Sequence, residues 1–322
     1  MSPRAERSMV PDAEFRSYYG QPVIKSPTWK TPDVPVYFFL GGLAGSSSAM
    51  AAMAELTGRE RAARVGYLTA AAGAAGGTVA LIHDLGRPER FLNMLRVIKP
   101  TSPLNTGSWV LAGYASLSGA AALSSVTGVL PGLARLAKAG AAALSPVMMT
   151  YTAILVADTA VPNWHEAYRE LPFVFAGSAL ISGGGVGVLA APTGGEADAA
   201  RALAVTGAAM ELAAESRMTA RLGMLAEPYE TGRPGRWMRA GRALAAAGAL
   251  GVVAGRRSRA VSVLSGAALL AGALCTRFGV FEAGMAAAKD PKYTVVPQRE
   301  RLDGRAAQPV TASFVPAAGQ AG

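Results

Sequence analysis

His83 and Asp84 stand side by side, with Arg87 and Arg90 close behind. An imidazole beside a carboxylate can take up and give back a proton near neutral pH. A helix C-terminus disfavours a carboxylate, so Arg87 or Arg90 is the nearest candidate to compensate Asp84. The cluster reads either as a proton-exchanging pair beside a bound polar headgroup or as an interfacial ion pair closing a helix. Tyr151 precedes Asp158 by seven residues, two turns away on the same helical face. Its phenol either reaches a carbonyl headgroup entering from that interface or bonds across helices. Asn105, Ser108 and Trp109 open another segment on the same side, with Trp109 as an aromatic-belt residue or a ligand wall. His165 falls at the same level.

Glu211 and Glu215 are spaced i, i+4, which puts both carboxylates on one helical face. Charges at membrane depth are costly and face a cavity, a counter-charge or a proton route. Arg277 is the counter-ion expected from sequence, so the set reads as a proton path or as a buried Glu–Arg tie. One cysteine (Cys275) and two histidines (His83 and His165) are too few for an iron–sulfur cluster, a structural zinc site, a disulfide or two bis-histidine haems. No metal site is expected, and any electrons handled here sit on something not covalently held.

The elements that must position these groups are apolar helices. Of 322 residues, 51% are hydrophobic and only 16% charged, against about 25% charged in soluble domains. Windows 34–54, 65–82, 106–130, 139–157 and 171–191 contain no Asp, Glu, Lys or Arg. Each suffices to cross roughly 30 Å of hydrocarbon. Three weaker windows follow: 199–223 with its two glutamates, the short 242–255, and 260–282 with Arg277. Backbone in lipid must satisfy itself internally, and the windows lack the alternation of barrel strands. The expected fold is therefore an all-α polytopic membrane protein of eight helices with both ends on one side. The net charge of +10 falls between apolar runs, as membrane anchors rather than a nucleic-acid surface. Residues 1–33 read as an extended polar tail without a signal-peptide core, its Tyr18, Tyr19 and Trp29 free to dock on a partner. Pro88 is expected to end the second helix. The loops on the two faces carry nearly equal positive charge, and the tails lean the ends towards the cytoplasm. A faint repeat relates 34–39 to 171–175 and Gly86-Arg87-Pro88 to Gly232-Arg233-Pro234, suggesting two halves of four helices.

The string His83-Asp84-Leu85-Gly86-Arg87-Pro88-Glu89-Arg90-Phe91, followed by Ser102-Pro103 and Gly107-Ser108-Trp109, resembles the NrfD/PsrC family of polysulfide-reductase-like membrane subunits. Phe38-Phe39-Leu40-Gly41-Gly42, Tyr151-Thr152, Arg277-Phe278 and Lys289-Asp290-Pro291-Lys292-Tyr293 extend the likeness over roughly 35–301. The resemblance implies two four-helix bundles, 34–160 and 161–284, with a polar C-terminal tail at 285–322. It implies a quinone site in the first bundle, with menaquinone or ubiquinone held non-covalently and no haem. It also implies a ferredoxin-like iron–sulfur partner, a molybdopterin catalytic subunit beyond it, and a place in the cell membrane. Asp84 matches the family's acidic residue near the quinone, and Tyr151 its span-four tyrosine. The histidine some members carry in span one is missing, and Tyr37 stands in that region.

The function expected is a quinone-reactive membrane subunit of an oxidoreductase complex, not catalytic alone. Tyr151, Asp84, Arg87, Trp109 and Tyr37 would hold the headgroup, and Asp84 with His83 would exchange its proton. Glu211, Glu215, Asp158 and Arg277 would carry protons. The alternative is a secondary transporter with a midplane Glu/Arg site, for which Gly183-Gly184-Gly185 offers a helix break. A purely structural anchor is a third possibility.

Overall fold

The computed structural model describes residues 22–191 and 195–306. Eight long helices dominate: α1 (Asp33–Leu56), α2 (Glu60–Asp84), α3 (Pro103–Thr127), α4 (Pro131–Ala157), α5 (Leu171–Ala190), α6 (Asp198–Leu222), α7 (Gly232–Ala254) and α8 (Arg259–Lys289). A shorter α9 (Lys292–Ala306) follows. No strand occurs among the described residues. Helix starts follow local chemistry. Proline sits in the first turn of α3, α4 and α5, where its missing N–H costs nothing. Ser102 and Ser258 accept backbone N–H groups at the starts of α3 and α8.

Six helices, α1 to α5 and α8, are long and apolar enough to cross a membrane. The expected short span at 242–255 is the second half of α7, which begins at Gly232. Arg233, Arg236, Arg239 and Arg242 lower the hydropathy of its first half without breaking the helix. The last window is likewise part of a longer helix that runs on to Lys289. Helix α2 ends at Asp84, before the expected proline stop, with Gly86 at φ 69° just beyond. Glycine takes that left-handed conformation without penalty. Gly232, its counterpart in the faint repeat, also has positive φ (60°).

Each helix from α1 to α4 packs on the next, and α4 returns to α1; α5 to α8 close in the same way. Helix α5 lies against α1, α2 and α4, and α8 also touches α1. Small residues let backbones approach closely, as tight packing in lipid requires. A Cβ on Gly177 of α5 would stand 2.6 Å from the backbone nitrogen of Glu211 in α6. The Gly183-Gly184-Gly185 run is not the break a transporter site would use. Helix α5 is continuous through it, and the three glycines face Ser46, Ala204 and Gly266 of neighbouring helices.

The chain's long connections gather on one face, here the proximal face. The segment before α1 lies against the connection after α4, where the rings of Trp29 and Trp164 are 5.8 Å apart. Trp29 thus docks on its own chain; Tyr18 and Tyr19 lie outside the described residues. The C-terminal part is not a plain tail either, since Arg301 of α9 pairs with Glu166 at 2.9 Å and Lys292 with Glu227. The connections on the opposite, distal face are short apart from that between α5 and α6.

Candidate functional site

Four helices converge near the proximal face around two tyrosines. Tyr37 lies four residues into α1 and Tyr151 six residues before the end of α4. At 1.5 Å per residue both stand about 6–9 Å inside that face. Their rings meet edge-on, with centroids 6.3 Å apart and planes at 72°. Gly77 of α2 faces the Tyr37 ring; a Cβ there would lie 3.6 Å from it. Gly107 of α3 faces Tyr151 more tightly, its hypothetical Cβ falling 2.7 Å from ring carbon Cε2. The Tyr151 ring therefore takes the space of a side chain on α3, whereas a Cβ on Gly77 would make ordinary contact with Tyr37. The Tyr151 hydroxyl is buried and has no hydrogen-bond partner among the described residues. A buried polar group left unpaired costs roughly 1–3 kcal/mol, so this phenol is a place where a ligand oxygen would gain. A further tyrosine in the same ring of helices, Tyr114, is fully satisfied: its hydroxyl meets Ser48 at 2.6 Å and the Ala44 carbonyl at 2.5 Å.

His83 and Asp84 close α2 at this face, each held by the segment leading into α1. The Lys30 backbone N–H donates to Asp84 Oδ1 at 2.8 Å, and His83 Nδ1 lies 2.7 Å from Asp33 Oδ2. Arg87 does not compensate Asp84: among the described residues no ion pair joins them, and Arg87 points to solvent. The turn at Gly86 carries the chain away before Arg87 can fold back, and a backbone N–H takes its place. Asp33 is the acidic partner that sequence spacing missed, because it lies fifty residues from His83.

The remaining proximal residues hold structure. Asn105 accepts from the Lys99 backbone at 2.6 Å and donates to the Met94 carbonyl at 2.7 Å, pinning the connection between α2 and α3. Ser108 donates to Leu104 within its own helix. Trp109, 39% exposed, faces away from the tyrosines, two positions from inward-facing Gly107. Its indole donates to the Val97 carbonyl at 3.2 Å. His165 lies 3.0 Å from the Ala157 carbonyl. Asp158, exposed just past the end of α4, does not join the buried carboxylates.

Those carboxylates form a second cluster, between α6, α7 and α8. Glu211 is buried and accepts from the Thr276 hydroxyl at 2.6 Å. Glu215 is buried beside Arg242, whose Nε stands 2.9 Å from its Oε1 without hydrogen-bond alignment. Arg277 is not the counter-ion of either glutamate by direct contact. It donates to the Phe175 carbonyl at 2.7 Å and lies over the Phe175 ring at 3.9 Å, a cation–π stack that also meets Gly42 of α1. Glu211 Oε2 and Arg277 Nε and Nη1 have no partner among the described residues. Arg242 and Thr276 escaped sequence reasoning because nothing in their type or spacing tells which side chains of α7 and α8 turn towards the glutamates. Among the described residues no three His, Cys, Asp or Glu side chains gather as a metal site would need.

An all-helical chain with six membrane-length apolar helices is a multi-pass membrane protein. The family model described as Polysulphide reductase, NrfD, matches residues 24–202, more than half of the chain, which therefore belongs to that family of membrane subunits of quinone-linked oxidoreductases. The match covers α1 to α5 and stops at the start of α6, so it contains Tyr37, Asp84, Gly107 and Tyr151 but not the Glu211 cluster. No curated protein matches the chain.

Proposed function

We propose that this chain is the quinone-reactive subunit of a multi-subunit oxidoreductase in the cell membrane. All eight long helices cross the bilayer, as two four-helix bundles (34–160 and 161–284). The two glutamates that lower the hydropathy of α6 support this reading, since Glu211 and Glu215 are buried against neighbouring helices and not turned to lipid.

The observation that carries the proposal is the buried, unpartnered hydroxyl of Tyr151, set edge-on to Tyr37 over Gly107 within the family-matched stretch. These residues fit a quinone headgroup: a donor for a carbonyl oxygen, flat aromatic edges, and no competing internal bond. A menaquinone or ubiquinone bound there supplies a two-electron, two-proton carrier. Tyr151 donates its hydroxyl hydrogen to a headgroup oxygen, and Tyr37 orients the Tyr151 ring. Asp84, with His83 and Asp33 beside it, exchanges the proton with water at the proximal face. The same face, where the long connections lie, receives the ferredoxin-like iron–sulfur partner, with a molybdopterin subunit beyond.

Glu211, Glu215 and Arg277 form a proton route through the second bundle. Their unfilled hydrogen-bonding positions suit a short file of water, which occupies buried polar sites where two to four partners are within reach. Titration of a quinone-analogue inhibitor against membranes carrying wild type or Tyr151→Phe tests the main reading. Tighter binding by wild type is expected, and equal affinity would remove Tyr151 from the site.

A further inference from the structure

A cavity of about 390 Å³ opens between α5 and α6 on the outer surface, away from the tyrosine pair. Its lip carries Arg169, from the turn before α5, and Arg217, from the last turns of α6. Its floor is apolar, with Phe173, Met210 and Ala214. The one carboxylate at the lip, Glu170, is already engaged. Arg221 grips it with two hydrogen bonds, at 2.8 and 2.6 Å, and also donates to the Glu166 carbonyl. That guanidinium holds the Glu170 carboxyl below its ordinary range, so it stays charged and matched. Arg217 is only 3.8 Å from Glu170 at its nearest and remains 81% exposed, while Arg169 bonds the Tyr168 hydroxyl and is likewise exposed. Arg169, Arg217 and Arg221 thus share a single carboxylate at this lip, which leaves the opening net positive.

Depth decides the class of ligand. Arg217 lies five residues and Met210 twelve residues before the end of α6. At 1.5 Å per residue the floor extends from about 8 to about 18 Å inside the helix end. A soluble anion would use the lip and leave that floor empty. Phe173, 58% exposed, and Met210 sit where acyl chains run.

We propose that this groove binds an anionic phospholipid, with its phosphate between Arg169 and Arg217 and an acyl chain along Phe173 and Met210. Basic pockets between membrane helices commonly recognise acidic headgroups. The site is separate from the quinone site, but it rests on the proposed crossing of the bilayer by α6.

The test titrates the full-length chain in neutral detergent with phosphatidylglycerol, with phosphatidylcholine and with inorganic phosphate, counting bound lipid by native mass spectrometry. Phosphatidylglycerol should bind in preference to phosphatidylcholine, and inorganic phosphate should not displace it. Arg169→Gln and Arg217→Gln should each weaken phosphatidylglycerol binding about fivefold. Arg257→Gln, on the distal face, should leave it unchanged and serves as the control for general charge loss. Unchanged phosphatidylcholine binding by both groove variants verifies their fold. Equal binding of the two lipids, a wild-type affinity in the Arg169→Gln/Arg217→Gln double variant, or displacement by inorganic phosphate would overturn the assignment.

Discussion

Tyr37 and Tyr151 meet edge to face across the interface of α1 and α4, and the Tyr151 hydroxyl finds no acceptor among the described residues. A native interior rarely leaves such a group unpaired unless it serves something else. The Tyr37 contact fixes where the Tyr151 ring sits, and the missing acceptor defines what it can still do.

Removing that hydroxyl separates binding from folding. Tyr151→Phe deletes a polar atom that has no internal bond to lose, so the melting temperature of the purified chain should stay level or rise. Quinone-analogue affinity should fall about 2- to 13-fold, the range of one hydrogen bond. A drop in melting temperature without loss of affinity would show that the phenol is structural.

The close approach of Gly107 to Tyr151 gives a steric prediction. Gly107→Ala places a methyl 2.7 Å from the ring, which must shift at a cost of about 1–3 kcal/mol. Gly113→Ala, in the same helix with nothing within 4 Å of its Cβ, meets no such obstacle. Thermal unfolding should show loss for the first and a neutral or stabilising effect for the second, with weakened analogue binding only for Gly107→Ala.

Asp84→Asn preserves an oxygen to accept the Lys30 N–H and removes only the capacity to carry a proton. Quinol-linked turnover in membranes should fall by about a hundredfold or more, the usual range for a positioned acid or base. The complex should still assemble, as judged by co-purified iron. Unchanged turnover would exclude Asp84 from proton exchange.

Glu211→Gln likewise keeps an acceptor for Thr276 and abolishes ionisation. Proton movement per electron, followed with a pH-sensitive dye in vesicles, should drop while quinone reduction or oxidation continues. A wild-type ratio would take α6 out of the proton route.

The apolar scaffold was plain in the sequence because uncharged windows of membrane length have few other uses. Helix α7 was legible only in its second half. The four arginines of its first half suppress hydropathy, and the sequence does not tell that Arg242 turns towards buried Glu215. Tyr151 and Asp84 stood out by chemical type and position. Their surroundings did not, because Asp33, Lys30 and Gly107 reach them by tertiary packing over long separations. Gly107 in particular is one glycine among 38, and only its contact with Tyr151 distinguishes it. Arg87 makes no contact with Asp84, and Arg277 faces Glu211 without a direct bond, because proximity along the chain and matching charge do not fix contact. A turn at Gly86 and an aromatic face at Phe175 decided otherwise.

Photoaffinity labelling with an azidoquinone, followed by peptide mapping of the intact complex, tests the central claim most directly. Label should concentrate on the segments bearing Tyr37, Gly107 and Tyr151 and should be competed away by unmodified quinone. Competable label confined to α5–α8, or its absence from those three segments, would contradict the account.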